Sequence, residues 1–438
     1  MSDRTWYPLC RPDDERIKIK KTEGVYLYDT RGKEYIDGNS GLWNVPLGYS
    51  NCSLKEKLTS QLEKVHYVNA CEFGTEESEQ LSEKLIALHH KDIEKIVYTC
   101  TGSESVELSI KFIRKYASLK NRKNRTNIAI LENSYHGSYY GSMSCSDYEG
   151  REREGYGPLL TGIKELSLPF CTCCRNRKVS TECEKRMKHR LEQELAEFGE
   201  SLAGIIVEPV LGSAGVLPLP EWYLYRIEEY AKEHDIITVF DEVATGFGRT
   251  GKMFCYQHYD IKPDIITMSK SMNNGILPIG AVAVSGKIVD QFRIHNESIF
   301  HLSTQNGNAL CCKAALATIE ELQKNDNQLL KQAQNMGNYF TNKIEHEFMK
   351  EFPRIFDLRR KGMMFAIDFL DKNMNQRMKY DDLLKIVNLL RKNGVIAEWS
   401  YIEKITSCIV FFLPYIIEKE QIDALLEKLR ITLKRIVL

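Results

Sequence analysis

The 438-residue chain lacks any apolar run near the ~20 residues that a membrane-spanning helix requires. It also lacks net charge, because 60 basic residues balance 60 acidic ones, so it has no general electrostatic affinity for nucleic acid or anionic membranes. Residues 1–20 contain no apolar signal core. From these absences we expect a soluble, cytoplasmic protein.

The sequence also lacks the dense cysteine spacing of a small disulfide-linked domain. Its 13 cysteines are odd in number and scattered, which predicts free thiols in a reducing compartment. One cluster, Cys171, Cys173, Cys174 and Cys183, contains a single CxxC-like pair, whereas a zinc site needs two. We expect a loop that carries thiols and binds no metal.

A chain of this length predicts two or three domains. Between residues 96 and 290, short apolar runs alternate with helical patterns, which favours an α/β fold with a mostly parallel sheet and helices on both faces. The strands predicted here are Ile96–Tyr98, Asn127–Leu131, Gly204–Val207, Ile236–Phe240, Ile265–Met268 and Gly280–Ser285.

The two ends of the chain differ from this middle region. GVYLYDTRGKEYID predicts a hairpin that leads into the loop GNSGLWN, where we expect Trp43 to be exposed, either as scaffold or as an aromatic wall beside a ligand. In the C-terminal third, MMFAIDF, VIAEWS and CIVFFLP predict three strands separated by helices. We therefore predict an N-terminal segment at 1–50, a large domain at 51–312 and a small α+β domain at 313–438, with the N-terminal segment packed against the small domain and the active site.

Two strand ends carry side chains that can do chemistry. Asp241 follows one apolar run, and Ser269 and Lys270 follow another, at the edge where open α/β sheets bind ligands. A lysine amine becomes a nucleophile where burial or charge lowers its pKa. It can then form a Schiff base with pyridoxal phosphate, whose ring nitrogen needs an acid beside it. The alternative is a surface lysine and an aspartate that caps a helix.

A third strand end carries a turn, Thr101-Gly102-Ser103, that opens a predicted helix over 104–115. Free backbone N–H groups and the positive end of the helix dipole make such a turn a cradle for phosphate, although a Gly-Ser turn is also an ordinary helix cap. Tyr135 follows a further strand and either lies against a planar cofactor or packs in the core.

The segment DEVATGFGRTG at 241–251, followed by Ser269-Lys270, resembles the class III (fold type I) pyridoxal-phosphate-dependent aminotransferases, which include ω-transaminases and diaminopelargonate transaminases. The resemblance extends over nearly the whole chain. Further similar segments are GVYLYDTRGKEYIDGNSGLWN, TGSESVE, YHG, VEPVLGSAG and the stretch around Thr304. It implies that the large domain binds the cofactor, pyridoxal 5'-phosphate.

The resemblance implies a role for each matching residue. Lys270 would form the Schiff base and carry the proton to and from the substrate carbon, while Asp241 would pair with the ring nitrogen. Val243 would pack on one face of the ring, and Gly102 and Ser103 would bind the phosphate.

Five further residues complete the implied site. Tyr135 would stack on the other face of the ring, beside His136. Glu208 and Trp43 would line the pocket. Tyr135 and Trp43 would also contact the substrate. Thr304 would reach the phosphate of the neighbouring subunit's cofactor, which implies a homodimer or a dimer of dimers.

The sequence departs from the family at a C-terminal R-x-x-P-P motif, whose arginine grips a substrate carboxylate. Val410 takes the place of that arginine, and Pro414 is the only proline there. Because a bidentate arginine contributes strongly to carboxylate binding, its loss predicts a substrate without an α-carboxylate at that place. Arg249 and Arg359 are alternatives, although their family positions are structural. Ala244, where some members have glutamine, also occurs in diaminopelargonate-type members.

The resemblance therefore implies an aminotransferase that moves an amino group, in two half-reactions, between an amine donor and an aldehyde or ketone acceptor. An aminomutase or racemase on the same scaffold is the alternative. A non-catalytic cofactor-binding protein fits less well, because Lys270, Asp241 and the phosphate turn are all present.

Overall fold

The computed structural model describes residues 4–148, 153–171 and 179–436. Its N-terminal segment forms an antiparallel sheet of β1 (Ile19–Glu23), β2 (Tyr26–Asp29) and β3 (Glu34–Asp37). Gly32 makes the turn between β2 and β3 with φ +83°, which glycine adopts at no steric cost. The predicted hairpin is confirmed. It is followed by a single turn, α1 (Ser40–Trp43).

Seven strands form the central sheet. In chain order the strands of this region are β4 (Ile93–Thr99), β5 (Asn127–Leu131), β6 (Ile163–Leu166), β7 (Leu202–Val207), the short pair β8 (Val210–Leu211) and β9 (Leu217–Pro218), β10 (Ile237–Asp241), β11 (Ile265–Met268) and β12 (Gly280–Ser285). The spatial order is β4-β12-β11-β10-β7-β5-β6, and β12 pairs antiparallel with both of its neighbours. The mostly parallel sheet is confirmed, and it places the carboxyl ends of β10 and β11 side by side.

Helices cover both faces of this sheet. The helices before and within it are α2 (Cys52–Leu62), α3 (Glu76–Leu88), α4 (Gly102–Leu119), α5 (Tyr140–Ser144), α6 (Thr181–Phe198), α7 (Glu221–His234) and α8 (Gly286–Ile294). Along β7, Ile205 and Val207 belong to one hydrophobic core and Ile206 to a second, because strand side chains alternate between faces. Both faces are therefore buried, as expected of parallel strands.

The C-terminal third begins with α9 (Ala309–Lys343), whose backbone is non-helical at 324–327, followed by a π-helical turn (Ile344–Phe348) and α10 (Met349–Glu351). The remaining elements are β13 (Ile355–Lys361), β14 (Met364–Phe369), α11 (Tyr380–Lys392), β15 (Val395–Ile396), β16 (Glu398–Ile402), β17 (Thr406–Phe412) and α12 (Lys419–Arg435). Four strands form an antiparallel sheet in the order β13-β14-β17-β16, while β15 pairs in parallel with β3. The small α+β unit thus includes a sheet shared with the N-terminal segment.

The three predicted C-terminal strands are five in the structure. VIAEWS is divided between β15 and β16, and β13 was not predicted. The boundary placed at 312/313 falls within α9, and the division into domains stays a prediction. In the described ranges, no helix is long and apolar enough to cross a bilayer.

The cysteine cluster lies partly outside the described residues, because Cys173 and Cys174 fall in the range 172–178. Within the described ranges, no group of three or more His, Cys, Asp or Glu side chains is arranged to hold a metal ion. Cys100, Cys145, Cys255 and Cys408 form no disulfide bond.

Candidate active site

A cavity of about 140 Å³ lies at the carboxyl ends of β10 and β11. Nine of the ten predicted site residues line it: Trp43, Gly102, Ser103, Tyr135, His136, Glu208, Asp241, Val243 and Lys270. The tenth, Thr304, is exposed and is not among the described residues that line the cavity. Ser213 also lines it and was missed by the sequence reasoning, although it lies in the VEPVLGSAG segment.

Asp241 is held by three hydrogen bonds at the end of β10. Its Oδ2 contacts His136 Nδ1 at 2.7 Å, and its Oδ1 accepts from Thr267 Oγ1 at 2.9 Å and from the Val243 backbone N–H at 3.1 Å. Burial acts to lower the pKa of His136, but the hydrogen bond and charge of Asp241 raise it above its ordinary value. Thr267 was not predicted, although it lies directly opposite Asp241 in the β10–β11 register.

Glu208 is a second buried carboxylate in the cavity wall. It accepts hydrogen bonds from the backbone N–H groups of Tyr135 at 2.8 Å and Gly212 at 3.2 Å. Burial raises the pKa of Glu208 to about 7, with Asp241 adding to the rise and His136 opposing it. Glu208 thereby fixes the Tyr135 backbone at the cavity.

Lys270 is the second residue after β11 and has a positive φ of 39°. Ser269, which precedes it, donates its hydroxyl to the Ile279 carbonyl at 2.7 Å and so fixes the chain at this bend. The Lys270 Nζ lies 4.4 Å from the centre of the Trp43 ring. Burial lowers the pKa of Lys270, partly offset by Asp241 and Glu208, so the neutral, nucleophilic amine becomes more accessible than in water.

The turn before α4 forms the opposite end of the cavity. Thr101 Oγ1 accepts from the Glu104 backbone N–H at 3.1 Å and caps the helix. A Cβ at Gly102 would lie 2.8 Å from a Val243 methyl group, so only glycine permits this close approach. The helix N-terminus leaves backbone N–H groups and a positive dipole end for an anion.

These groups fit pyridoxal phosphate. The start of α4 suits its phosphate, Asp241 suits a protonated ring nitrogen, and the Lys270 amine lies in the same cavity. His136 Nε2 is buried with no hydrogen-bond partner, so His136 has spare capacity on the side away from Asp241.

Trp43 is buried, which corrects the expectation that it is exposed. Its side chain is 8% exposed, and its ring stacks on Phe412 with centroids 4.1 Å apart and planes 6° apart. Phe412 lies in β17, far along the sequence, so the local loop composition gave no indication of this contact. The aromatic wall beside the ligand cavity is the alternative that the structure supports.

The α1 turn that carries Trp43 is left-handed. Residues 40–43 have φ values of 45°, 56°, 66° and 68°, a conformation that costs L-residues about 1–2 kcal/mol each. The Asp37 carboxylate compensates by accepting from the backbone N–H groups of Asn39 at 3.0 Å and Gly41 at 2.7 Å. The Ser40 hydroxyl donates to the Phe412 carbonyl, which ties the turn to β17.

The two alternative arginines are both engaged by the protein. Arg359 Nη1 contacts Asp368 at 2.7 Å, and its Nε donates to the Gly215 carbonyl at 2.8 Å. Arg249 Nη1 donates to the Leu413 carbonyl at 2.8 Å, and the whole side chain is buried. Both are structural, as their positions suggested.

Val410 lies in the middle of β17 and is 2% exposed. It pairs with Ala366 of β14 on one side and with Glu398 of β16 on the other. Val410, which the sequence resemblance matches to the family's carboxylate-binding arginine, is therefore an aliphatic side chain that faces an acidic one across the strands.

Comparison with known proteins agrees with this geometry. A crystal structure of an amine transaminase from an uncultivated Pseudomonas species, with pyridoxal phosphate bound, has a TM-score of 0.90 at 26% identity and covers 99% of both chains. The fold and site thus define a fold type I pyridoxal-phosphate enzyme. The model of the class-III aminotransferase family matches residues 10–433, and the chain belongs to that family.

Two curated relatives extend the comparison. The adenosylmethionine-8-amino-7-oxononanoate aminotransferase of Staphylococcus aureus is 30% identical over 406 residues, which cover 90% of this chain and 88% of that protein. A leucine/methionine racemase of Thermococcus litoralis is 31% identical over 417 residues, which cover 94% and 89%. The chain is a pyridoxal-phosphate-dependent aminotransferase whose family also contains a racemase.

Proposed function

We propose that this aminotransferase transfers an amino group between an amine donor and an aldehyde or ketone acceptor that lacks an α-carboxylate. The observation that carries the proposal is the burial of Val410, the residue that the sequence resemblance matches to the family's carboxylate-binding arginine. Both other candidate arginines are engaged by backbone and carboxylate groups. The free thiols support our further proposal that it acts in the cytoplasm.

The cofactor, when bound, supplies an electrophilic aldehyde and a ring that accepts electrons. Lys270 would hold it covalently, and its Nζ, once released by the donor amine, would take the proton from the donor carbon that bears the amino group. Asp241, positioned by His136 and Thr267, would keep the ring nitrogen protonated. Gly102 and Ser103 would hold the phosphate at the start of α4, with Val243 and Tyr135 enclosing the ring.

The test is a single turnover with donor alone, over a panel of primary amines, diamines and α-amino acids. A transaminase should release one equivalent of carbonyl product per site and then stop until an acceptor is added. A racemase, the alternative that the Thermococcus relative supports, should instead invert a chiral amino acid without releasing carbonyl product. Inversion without release for every donor would overturn the proposal.

Val410→Arg alone is expected to gain little activity towards carboxylate-bearing acceptors, because Glu398 lies directly opposite and would neutralise the new guanidinium. Val410→Arg combined with Glu398→Gln should raise kcat/KM for pyruvate relative to butanone by about tenfold or more, since a charge-assisted hydrogen bond contributes ~1.5–3 kcal/mol. Steady-state kinetics with both acceptors measure this ratio. An unchanged ratio in the double variant would contradict the assignment of Val410 to the acceptor pocket.

We further propose at least a homodimer in which Thr304 completes the neighbouring subunit's site. Thr304 is exposed, and the same segment exposes two apolar side chains, Phe300 (88%) and Leu302 (68%), as an interface would require. Cys100 Sγ contacts Ser303 Oγ at 3.3 Å, which ties this segment to the phosphate turn of its own subunit.

Mixed dimers of Lys270→Ala and Thr304→Ala subunits test whether Thr304 acts across the subunit interface. If Thr304 acts across the interface, the subunit that retains Lys270 receives an intact Thr304 from its partner and should show about half of the parent dimer's activity. If Thr304 acts within its own subunit, the one site that retains Lys270 carries the Thr304→Ala defect, and the mixed dimer should show only about half of the activity of the Thr304→Ala homodimer. Differently tagged subunits, co-expressed and doubly purified, allow the measurement.

A further inference from the structure

A buried acid lies directly beside the turn to which we assign the cofactor's phosphate. Glu104 is the third residue of α4, next to Ser103, and its side chain is only 8% exposed. A carboxylate next to an anion site disfavours the anion unless its charge is offset. We propose that His301 is a positioning residue for the phosphate, because it binds Glu104, offsets that charge and holds the turn in its anion-binding shape. This role of His301 rests on the proposed placement of the phosphate at Gly102 and Ser103.

Successive side chains of the segment 300–304 point in opposite directions. Phe300 and Leu302 are 88% and 68% exposed, and Thr304 is exposed as well. Between them, the His301 side chain is only 9% exposed and contacts Glu104, while Ser303 contacts Cys100. This alternation is that of an extended chain. One side of the segment therefore faces the subunit's own phosphate turn, and the other side faces away from it.

Glu104 connects His301 to the backbone of the turn. His301 Nε2 contacts Glu104 Oε1 at 3.0 Å, and Glu104 Oε2 accepts from the Cys100 backbone N–H at 2.8 Å. The Thr101 hydroxyl in turn accepts from the Glu104 backbone N–H. These reciprocal bonds enclose the start of the helix in the manner of a capping box. The position of the Glu104 carboxylate therefore sets the path of the chain into the phosphate turn.

Lys111 determines which way the hydrogen bonds of this group run. Its Nζ lies 3.2 Å from His301 Nδ1 and donates to the Phe300 carbonyl at 2.9 Å. An ammonium group can only donate, so Nδ1 accepts and the ring carries its proton on Nε2. His301 then donates to Glu104, and the nearby positive charge strengthens that hydrogen bond. Both Glu104 oxygens are thereby occupied, and a cation lies on the far side of the imidazole.

Loss of the imidazole should weaken phosphate binding specifically. Glu104 Oε1 would lose this donor in a buried position, which is costly for a charged group. Its less compensated charge would then repel the phosphate at low local dielectric. The pyridine ring should be affected much less, because Asp241 and Lys270 lie at the ends of β10 and β11, at the opposite end of the cavity.

The test compares pyridoxal phosphate with pyridoxal, which lacks the phosphate, in absorbance titrations of the apoenzyme. In His301→Leu the affinity for pyridoxal phosphate should fall at least about tenfold, while the affinity for pyridoxal stays within about threefold of the parent value. A defect of the whole site would weaken both ligands equally. An unchanged affinity for pyridoxal phosphate, or an equal loss for both ligands, would overturn the role of His301.

Further variants separate the charge of Glu104 from the shape of the segment. Glutamine places an N–H donor near the position of the histidine Nε2, so His301→Gln should bind pyridoxal phosphate within about threefold of the parent. Addition of Glu104→Gln to His301→Leu removes the charge and keeps an oxygen for the Cys100 N–H, so this double variant should regain parental affinity within about threefold. A double variant that binds no more tightly than His301→Leu would refute the proposal.

His295→Leu is the matched control, because His295 is exposed at the end of α8 and the substitution is the same. It should leave the affinities for pyridoxal phosphate and for pyridoxal unchanged. A loss of pyridoxal phosphate affinity in His295→Leu as large as that in His301→Leu would show that the effect is not specific to the contact with Glu104.

Inorganic phosphate allows a measurement that involves no Schiff base. Calorimetry on the apoenzyme should show phosphate binding to the parent and to His295→Leu, with affinity at least about fivefold lower in His301→Leu. Equal phosphate binding to the parent and to His301→Leu would contradict the proposal. If the parent binds pyridoxal phosphate no more tightly than pyridoxal, the placement of the phosphate at Gly102 and Ser103 fails as well. A parent that prefers pyridoxal phosphate, with His301→Leu unaffected, refutes only the role of His301.

Discussion

Lys270→Ala should abolish both turnover and the visible absorption of the lysine-bound cofactor, while the protein still folds. The Lys270 side chain makes no hydrogen bond among the described residues, so its removal should not unfold the protein. Its Nζ lies beside the Trp43 ring in the cavity at the ends of β10 and β11. Burial lowers the pKa of this amine, so removing it also relieves a desolvation cost. We expect a loss of at least about four orders of magnitude in kcat, because a covalent step loses its nucleophile. Absorbance spectra and steady-state rates measure both effects.

Lys262→Ala is the matched control for this experiment. Lys262 lies just before β11, its side chain is about half exposed, and its Nζ lies 3.8 Å from Asp92 Oδ2. Its removal should leave the spectrum and the rate unchanged. Turnover by Lys270→Ala above the rate of free pyridoxal phosphate would refute the assignment of Lys270, provided that circular dichroism shows an intact fold.

Asp241→Asn should retain cofactor binding and lower kcat by about two to three orders of magnitude, the range seen when one preorganised charge or donor is removed from an active site. Thr267 and the Val243 N–H both donate to Oδ1, so the asparagine oxygen should keep that place. The asparagine NH₂ then faces His136 Nδ1, which must become an acceptor. The ring nitrogen loses its anionic partner, and the rate falls although the geometry is nearly preserved.

Asp260→Asn is the control, since Asp260 is exposed and has a positive φ of 50° that asparagine also tolerates. A titration of apoenzyme with pyridoxal phosphate should give similar affinities for parent and Asp241→Asn, which separates binding from rate. Equal rates for Asp241→Asn and the parent would show that the ring nitrogen does not depend on this carboxylate.

The sequence predicted the strands of the central sheet well because each of them is visible in the local sequence pattern. β5 and β11 have the predicted bounds, and the ends of β10 and β11 deliver Asp241 and Lys270 to one edge, as the rule for parallel sheets requires. Each of these strands is a short apolar run buried on both faces, which makes the pattern plain. The candidate site followed from the strand ends together with the family resemblance.

The small unit was predicted less well because its pattern depends on distant partners. β13 contains Arg359, which interrupts the apolar alternation. Its burial is possible because Asp368 on β14 and the Gly215 carbonyl both accept hydrogen bonds from it. VIAEWS was taken as one strand, but β15 pairs with β3 near the start of the chain and β16 pairs with β17. Glu398 was missed for the same reason, since only the β16–β17 register reveals that it faces Val410.

The left-handed α1 turn has a consequence for the order of folding during synthesis. Its Ser40 hydroxyl and the Trp43 ring both depend on Phe412, so these early residues find their native partners only near the end of translation. A nascent chain that has reached α8 already possesses the whole central sheet, yet its aromatic wall has nothing to stack on. The cavity therefore cannot close on that side until β17 has been synthesised. Chains truncated before β17 should not retain the cofactor, even when their central sheet folds.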